Sequence, residues 1–132
     1  TVRPMLLSEC KAVIFDLDGT LLDSLADIAA AANWALGSEG LTEYDLDQFR
    51  FLVGDGVSVL FQRAVPCLNE DPALAARLMQ TYHAAYSRSW NIRSKPYDGI
   101  LEMLQRLDDC KMPKAVLSNK PQAFTSKCVQ HY

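Results

Sequence analysis

Two aspartates, Asp16 and Asp18, follow directly after a short run of apolar residues at positions 12–15. An uninterrupted apolar run of this length is typical of a parallel strand that is buried on both faces. Open α/β sheets bind their ligands just beyond the carboxyl ends of such strands. The sequence therefore predicts a buried strand that delivers both carboxylates into one site.

The two carboxylates suit the chemistry of phosphate esters. Acids this close ionise together only beside a cation, and Mg²⁺ prefers oxygen ligands. One carboxylate could attack phosphorus while the other protonates the leaving oxygen and later activates water. Gly19 and Thr20 would let backbone N–H groups approach the phosphate. The alternative is that Asp16 and Asp18 only cap the next turn.

A second apolar run, at residues 115–117, leads into Ser118, Asn119 and Lys120. Because Pro121 then opens a helix, we expect a hydroxyl, an amide and a helix N-terminus to meet one anion, with the charge of Lys120 nearby. Taken alone, Ser118 and Asn119 would be explained by ordinary helix N-capping. The occurrence of both motifs at strand ends favours a phosphate site.

Helical patterns fill the chain between the two predicted strands. Ser24 and Asp27 resemble a capping box at the first helix, and Asp71 followed by Pro72 is typical of a helix start. We expect the large aromatic residues of this segment to lie in its core rather than around a ligand. These are Trp34, Tyr82, Tyr86 and Trp90. The predicted helices cover residues 24–36, 45–52, 57–65 and 72–92 within a few residues.

Proline and glycine interrupt the helices at residues 95–99, and a new helix begins at Ile100. A last helix carries Phe124 and Cys128 on one face. The order strand, helical segment, helix, strand, helix predicts an α/β fold whose core is interrupted by a helical module directly after its first strand.

Residues 13–24 (VIFDLDGTLLDS) and 117–121 (LSNKP) resemble the first two motifs of the haloacid dehalogenase superfamily, and within it the phosphoglycolate phosphatase group. The resemblance implies a Rossmann-like core, incomplete at the C-terminus and formed by residues 1–22 and 93–132. It also implies an inserted α-helical bundle cap at residues 23–92.

The resemblance further implies magnesium-dependent hydrolysis of a small phosphate monoester, such as 2-phosphoglycolate, through an aspartyl-phosphate intermediate. Asp16 would be the nucleophile and Asp18 the general acid and base. Asp16 and the backbone carbonyl of Asp18 would hold the metal. Ser118 and Asn119 would bind the phosphate, with Lys120 adding positive charge.

Each of two features of the predicted cap has either a functional or a purely structural interpretation. The Gly54-Asp55-Gly56 turn resembles the loop that faces the substrate in this group, although a turn that merely separates two helices has the same composition. Asp23 fits a hinge between cap and core by the same resemblance. Its alternative role is that of an acid favoured by the dipole of the next helix.

The family also uses a later lysine and a later acidic pair, and neither is found in this sequence. No Asp or Glu follows Asp109. We therefore expect the chain to be the N-terminal portion of a longer phosphatase and to be inactive or weakly active alone. The alternatives are a non-catalytic binding module and a phosphosugar mutase of the same superfamily, which would differ in its cap residues and in its exclusion of water.

Charge, apolar stretches and cysteine spacing limit the binding partners and the cellular compartment that we expect. The 132 residues carry a net charge of −3 without a basic stripe, so we expect no nucleic-acid partner. No apolar stretch approaches the length of a membrane-spanning helix. The four cysteines are widely separated and lack metal-ligand spacing, which favours the reducing cytoplasm. The oligomeric state stays open.

Overall fold

The computed structural model describes residues 9–132. Its strands are β1 (Val13–Phe15), β2 (Leu22–Asp23), β3 (Lys95–Pro96) and β4 (Lys114–Val116). Its helices are α1 (Leu25–Ser38), α2 (Leu46–Leu52), α3 (Val57–Ala64), α4 (Pro72–Ser89), α5 (Ile100–Asp109) and α6 (Gln122–His131), with a 3-10 turn at Leu68–Glu70. The predicted α/β order, with a helical segment inserted after the first strand, is confirmed.

In the described part of the chain the strands form two sheets of two strands each. β1 and β4 are parallel, with Phe15 opposite Val116. Because parallel strands end at the same edge, the residues that follow β1 and β4 are brought side by side. β2 and β3 are antiparallel, with Asp23 opposite Lys95. This second pair joins the chain entering the helical segment to the chain leaving it.

The expectation that β1 is buried on both faces is wrong for this structure. Ile14 is 67% exposed and Leu117, just after β4, is 73% exposed. Phe15 and Val116 are partly buried and pack against a small cluster that includes Cys128. The physical reason is that the described helices cover one face of the two-stranded sheet, so alternate side chains on the other face meet solvent.

Helices α1 to α4 pack around the main apolar core. One face of α1 is made of small residues, and α4 packs closely against it because alanine side chains let two helix backbones approach. Larger side chains, including Phe49, Phe61 and Leu78, fill the remaining space and are almost fully buried. The buried alanines of α1 are Ala29, Ala31, Ala32 and Ala35.

The four aromatic residues that were expected in the core differ in how deeply they are buried. Tyr82 and Tyr86 are buried in the main core, as expected, and Trp90 packs partly buried against both apolar clusters. Trp34 is 66% exposed, so its predicted place in the core is wrong. Its neighbours Ala35 and Leu36 occupy the buried face of α1, which turns position 34 towards solvent.

The predicted capping box at Ser24 and Asp27 is also wrong, because Ser24 makes no side-chain capping bond to α1. A capping box is present instead at α2, where Asp45 accepts from the Gln48 N–H at 2.8 Å and the Gln48 side chain accepts from the Asp45 N–H at 2.9 Å. The predicted start of α4 is confirmed, since the Asp71 carboxylate accepts from the Leu74 N–H at 2.9 Å.

Asp27 ties the start of α1 to the chain that returns towards β3. Its carboxylate is only 2% exposed. It accepts hydrogen bonds from the Arg93 N–H at 2.9 and 3.1 Å, from the Ser94 N–H at 2.8 Å and from the Ser94 hydroxyl at 2.7 Å. The buried carboxylate thus fixes the two chain crossings between the helical segment and the α/β part.

Candidate active site

A cavity of about 300 Å³ lies between the carboxyl ends of β1 and β4 and the helical segment. Its lining brings together five side chains that the sequence singled out from two distant stretches. Residues of α1, α2, α3, α4 and α6 and of the loop before α3 also line it. The five residues are Asp16, Asp18, Ser118, Asn119 and Lys120.

Asp18 and Lys120 form an ion pair at the base of this cavity. The Lys120 ammonium donates to the two carboxylate oxygens of Asp18 at 2.8 and 2.9 Å. The Ser24 hydroxyl donates to Asp18 Oδ1 at 2.6 Å, so the hydroxyl that was expected to cap α1 serves Asp18 instead. The Lys120 side chain is 4% exposed and that of Asp18 is 26% exposed. Three contacts therefore fix the Asp18 carboxylate on the cavity wall.

Tyr86 of α4 completes the surroundings of Lys120. The Lys120 ammonium lies 4.8 Å from the centre of the Tyr86 ring, a cation–π contact between α4 and the loop after β4. Burial raises the pKa of Tyr86 far above its ordinary value, and the charge of Asp18 adds to the shift. Burial likewise raises the pKa of Tyr82. Both tyrosines are therefore neutral at physiological pH, and the charge in this wall is carried by Asp18 and Lys120.

Asp16 differs from Asp18 in its exposure and contacts. It is exposed, and its Oδ1 accepts from the N–H of Leu17 at 2.7 Å. This local bond orients the carboxylate while leaving its other oxygen open to the cavity. Ser118 Oγ accepts from the N–H of Lys120 at 3.1 Å, which leaves the hydroxyl proton available to an incoming anion.

The backbone N–H groups of Gly19 and Thr20 are not free to approach a phosphate, as the sequence predicted they would be. The N–H of Gly19 donates to the carbonyl of Leu22 at 2.8 Å, and that of Thr20 donates to the carbonyl of Leu17 at 3.3 Å. Both amides are therefore used within the turn after β1. Gly19 lines the cavity, whereas Thr20 is exposed outside it.

The loop before α3 contacts the loop after β4 directly. The Asn119 side-chain amide donates to the Gly54 carbonyl at 3.0 Å. Gly56 has φ +90°, and a Cβ there would lie 3.4 Å from the Asn119 carbonyl oxygen. Glycine fits both the backbone angle and the close approach. Gly54 and Gly56 line the cavity, but Asp55 does not, because its carboxylate is paired with Arg63.

Comparison with known proteins places the chain in a family. The model of the haloacid dehalogenase-like hydrolase family matches residues 13–132. The chain belongs to the haloacid dehalogenase-like hydrolase family. The match includes both strand-end motifs and the whole helical segment between them.

Three relatives of this haloacid dehalogenase-like chain show the extent of the similarity. A phosphoglycolate phosphatase from Thiobacillus denitrificans is 35% identical over 118 residues, 87% of this chain and 52% of that protein. An N-acetylmuramic acid 6-phosphate phosphatase from Pseudomonas aeruginosa is 32% identical over 120 residues, 91% and 53% respectively. The crystal structure of a predicted phosphoglycolate phosphatase from Haemophilus somnus has a TM-score of 0.78 at 30% identity, covering 86% of this chain and 53% of that one. The chain spans about half the length of these relatives.

The described residues of this family member can be compared with what a Mg²⁺ site requires. Asp16 offers an exposed carboxylate, whereas Lys120 and Ser24 bind the carboxylate of Asp18. No group of three or more His, Cys, Asp and Glu side chains that could hold a metal occurs within residues 9–132. Mg²⁺ commonly takes one or two carboxylates and completes its shell with water and phosphate oxygens. The carboxylate of Asp16 and the backbone carbonyl of Asp18 are oxygen donors, so their chemistry matches ligands of this kind.

Sequence reasoning missed three residues of the site. The sequence predicts that Ser24 caps a helix, whereas its hydroxyl binds Asp18. The sequence also predicts that Tyr86 lies in the core, which it does, but gives no sign of its contact with Lys120. Arg50 lines the cavity from the last turn of α2 and carried no sequence signal beyond its charge.

No helix within the described residues is long and apolar enough to cross a membrane.

Proposed function

We propose that the protein containing this chain is a magnesium-dependent phosphatase that hydrolyses a small phosphate monoester, such as 2-phosphoglycolate, through an aspartyl-phosphate. One observation carries the proposal: the residues that follow β1 and those that follow β4 share one small cavity with two carboxylates, a hydroxyl and a buried ammonium. The names of the relatives support phosphate-ester hydrolysis. We also propose that residues 9–22 and 93–132 belong to the core, that 23–92 form the cap and that the protein acts in the cytoplasm. Residues 1–8, which the sequence assigns to the core, lie outside the described residues.

In the first step we assign the attack to Asp16. Its exposed carboxylate oxygen forms a bond to phosphorus while the bond from phosphorus to the ester oxygen breaks. The protonated form of Asp18 gives its proton to that leaving oxygen and becomes the carboxylate that Lys120 and Ser24 hold. Asp16 suits the attack because its bond to the N–H of Leu17 orients the carboxylate and leaves an oxygen exposed.

In the second step Asp18 acts as the base. It takes a proton from a water molecule, the water oxygen attacks phosphorus, and the bond from phosphorus to Asp16 breaks to release phosphate. The contacts of Asp18 with Lys120 and Ser24 hold its carboxylate in one place for both proton transfers. The Ser118 hydroxyl and the second N–H of the Asn119 amide would donate to the phosphate oxygens.

Mg²⁺ held by Asp16 and the Asp18 carbonyl would neutralise charge between the nucleophile and the phosphate when bound. The cavity limits what else can enter. At about 300 Å³ it has the size of the smallest ligand pockets, which favours a small ester over a nucleotide or a sugar polymer. Contact between Asn119 and Gly54 closes one side of it.

One observation favours a second candidate, a non-catalytic binding module. Within residues 9–132 the acids needed for a complete metal-binding cluster are absent. Such a module would still bind a phosphate ester in the same cavity. Turnover, and its response to Mg²⁺, separates the two candidates.

The test is release of inorganic phosphate from a panel of small esters by the purified protein, with Mg²⁺ and with a chelator. The panel contains 2-phosphoglycolate, ethyl phosphate and a sugar 6-phosphate. We expect release in Mg²⁺ that stops on chelation. Binding of these esters without any release would support the binding module, and absence of both would contradict a phosphate site.

A further inference from the structure

We propose that the aromatic ring of Tyr86 positions the Lys120 ammonium, and through it the Asp18 carboxylate, for proton transfer. This inference rests on the proposed function, in which Asp18 is the acid and the base. Tyr86 is a positioning residue, because its ring contacts Lys120 and is assigned no contact with the ester. The helical segment thus supplies a contact to the ion pair of Asp18 and Lys120.

The Lys120 ammonium is enclosed by protein. Its side chain is 4% exposed, so water can offer it little solvation. The ammonium donates to the two carboxylate oxygens of Asp18 at 2.8 and 2.9 Å. It also lies over the Tyr86 ring, 4.8 Å from the ring centre. Because the electron-rich face of an aromatic ring attracts a cation most strongly where water is excluded, this contact stabilises the buried ammonium in its place.

Local hydrogen bonds fix the backbone of Lys120 but not the end of its side chain. The Lys120 N–H donates to Ser118 Oγ at 3.1 Å, and the Lys120 carbonyl accepts from the Thr125 hydroxyl at 3.2 Å. Lysine carries its charge at the end of a flexible four-carbon stem. Among the described residues, the contacts that hold the ammonium are those with Asp18 and Tyr86.

The Tyr86 ring is itself held in place by two aromatic neighbours. Tyr86 is 1% exposed, and Tyr82, one turn earlier in α4, stacks against it with ring centres 5.4 Å apart. Phe124 of α6 makes a T-shaped contact with it at 5.0 Å. Since Phe124 lies in the helix that follows Lys120, one short stretch of chain contacts Tyr86 with an ammonium and with a ring. Tyr86 therefore presents a fixed surface to Lys120.

The hydroxyl of Tyr86 has no role in this contact. It is buried and has no hydrogen-bond partner among the described residues. A buried hydroxyl without a partner costs stability, so the ring, and not the hydroxyl, accounts for the place of Tyr86 in the structure. Phenylalanine should therefore replace Tyr86 in positioning Lys120, whereas a residue without an electron-rich ring should not.

The test changes the electrons of the ring while keeping its shape. Phenylalanine and its monofluorinated, trifluorinated and pentafluorinated forms are placed at position 86 of the protein containing this chain. Initial rates are measured on 2-phosphoglycolate in Mg²⁺. Fluorine withdraws electron density from the ring face and so weakens its attraction for a cation.

We expect Tyr86→Phe to retain most of the wild-type rate. Successive fluorination should then lower kcat by up to about 10- to 30-fold, the rate equivalent of a desolvated cation–π contact. KM should change little, because Tyr86 acts on Lys120 and not on the ester.

Two controls separate positioning from a general effect on the fold. In a Lys120→Met background the ammonium is gone, so the same series at position 86 should not lower kcat further. The series at position 82 is a matched control, because Tyr82 is buried on the same helix, lines the same cavity and makes no cation–π contact among the described residues. There kcat should stay at the level set by Tyr82→Phe. Urea unfolding of each variant checks that it is folded.

Three outcomes would overturn the inference and leave the proposed function intact. The first is a kcat that does not depend on fluorination at position 86. The second is a loss of the same size in the Lys120→Met background, because Tyr86 would then act on the fold and not through the ammonium. The third is a loss already complete in Tyr86→Phe, which would assign the effect to the hydroxyl. If the wild-type protein releases no phosphate, the proposed function fails and the inference fails with it.

Discussion

Replacing Asp27 with alanine removes the acceptor that ties the first turn of α1 to the chain leaving the helical segment. The carboxylate is 2% exposed and receives hydrogen bonds from three donors: the N–H of Arg93, the N–H of Ser94 and the Ser94 hydroxyl. These partners lie 66 and 67 residues along the chain from Asp27. The substitution therefore tests a contact that holds two distant crossings together.

The magnitude follows from what happens to each donor. Ser94 is 9% exposed, so water does not readily replace the lost acceptor for its N–H and its hydroxyl. A buried donor left without a partner costs about 1–3 kcal/mol. Arg93 is exposed, and its N–H can bind water instead. We therefore expect Asp27→Ala to lower the free energy of unfolding by about 3–5 kcal/mol.

The assay is urea unfolding followed by circular dichroism, with Asp47→Ala as the matched control. Both aspartates lie in the first turn of a helix, so both variants lose the same interaction with the helix dipole, about 0.3–1 kcal/mol. The Asp47 side chain is 90% exposed and accepts only from Arg50 in the described structure. Asp27→Asn, which keeps one acceptor oxygen, should fall between the two. A loss for Asp27→Ala no larger than that for Asp47→Ala would show that the buried hydrogen bonds of Asp27 do not stabilise the fold.

Two further predictions concern the wall of the cavity. Lys120→Met leaves the carboxylate of Asp18 without its ion-pair partner, so we expect the rate of phosphate release to fall by about 100-fold or more. The measurement is the initial rate, and a rate equal to that of the wild type would contradict the role of the ion pair. Tyr86→Phe removes a buried hydroxyl that has no partner among the described residues, so stability at neutral pH should stay equal or rise by up to about 1 kcal/mol. Because burial raises the pKa of Tyr86, the unfolded chain loses this proton above about pH 10 while the folded chain keeps it, and stability falls as pH rises. Urea unfolding between about pH 9 and 11 should show a shallower fall for Tyr86→Phe, and an equally steep fall would count against the pKa shift.

Local signals predicted the helices and the meeting of the two strand-end motifs. Apolar residues spaced three to four positions apart were enough to predict α1 to α4. The Asp71-Pro72 pair predicted the start of α4, because the helix cap and the proline that follows it both act within the first turn. The strand-end motifs met as expected, since two parallel strands in one sheet must end at the same edge. These inferences depend on residues close in sequence or on sheet geometry.

Contacts between distant segments could not be predicted in the same way. β2 and β3 are two residues long and carry no periodic pattern, and their pairing depends on a partner more than 70 residues away. Arg50 and Tyr86 reach the cavity because of how α2 and α4 pack, which their own sequence does not specify. The exposure of Trp34 has the same origin: the alanine-rich face of α1 is the one that meets α4.

The assignment of Asp16 as the nucleophile is tested by phosphate release from the Asp16→Asn variant beside the wild-type protein. Both are assayed on 2-phosphoglycolate in Mg²⁺, with circular dichroism and urea unfolding recorded on the same samples. We expect a loss of about 10⁴-fold or more in the rate, with folding nearly unchanged because Asp16 is exposed. Activity retained by a folded Asp16→Asn variant would contradict the nucleophile assignment.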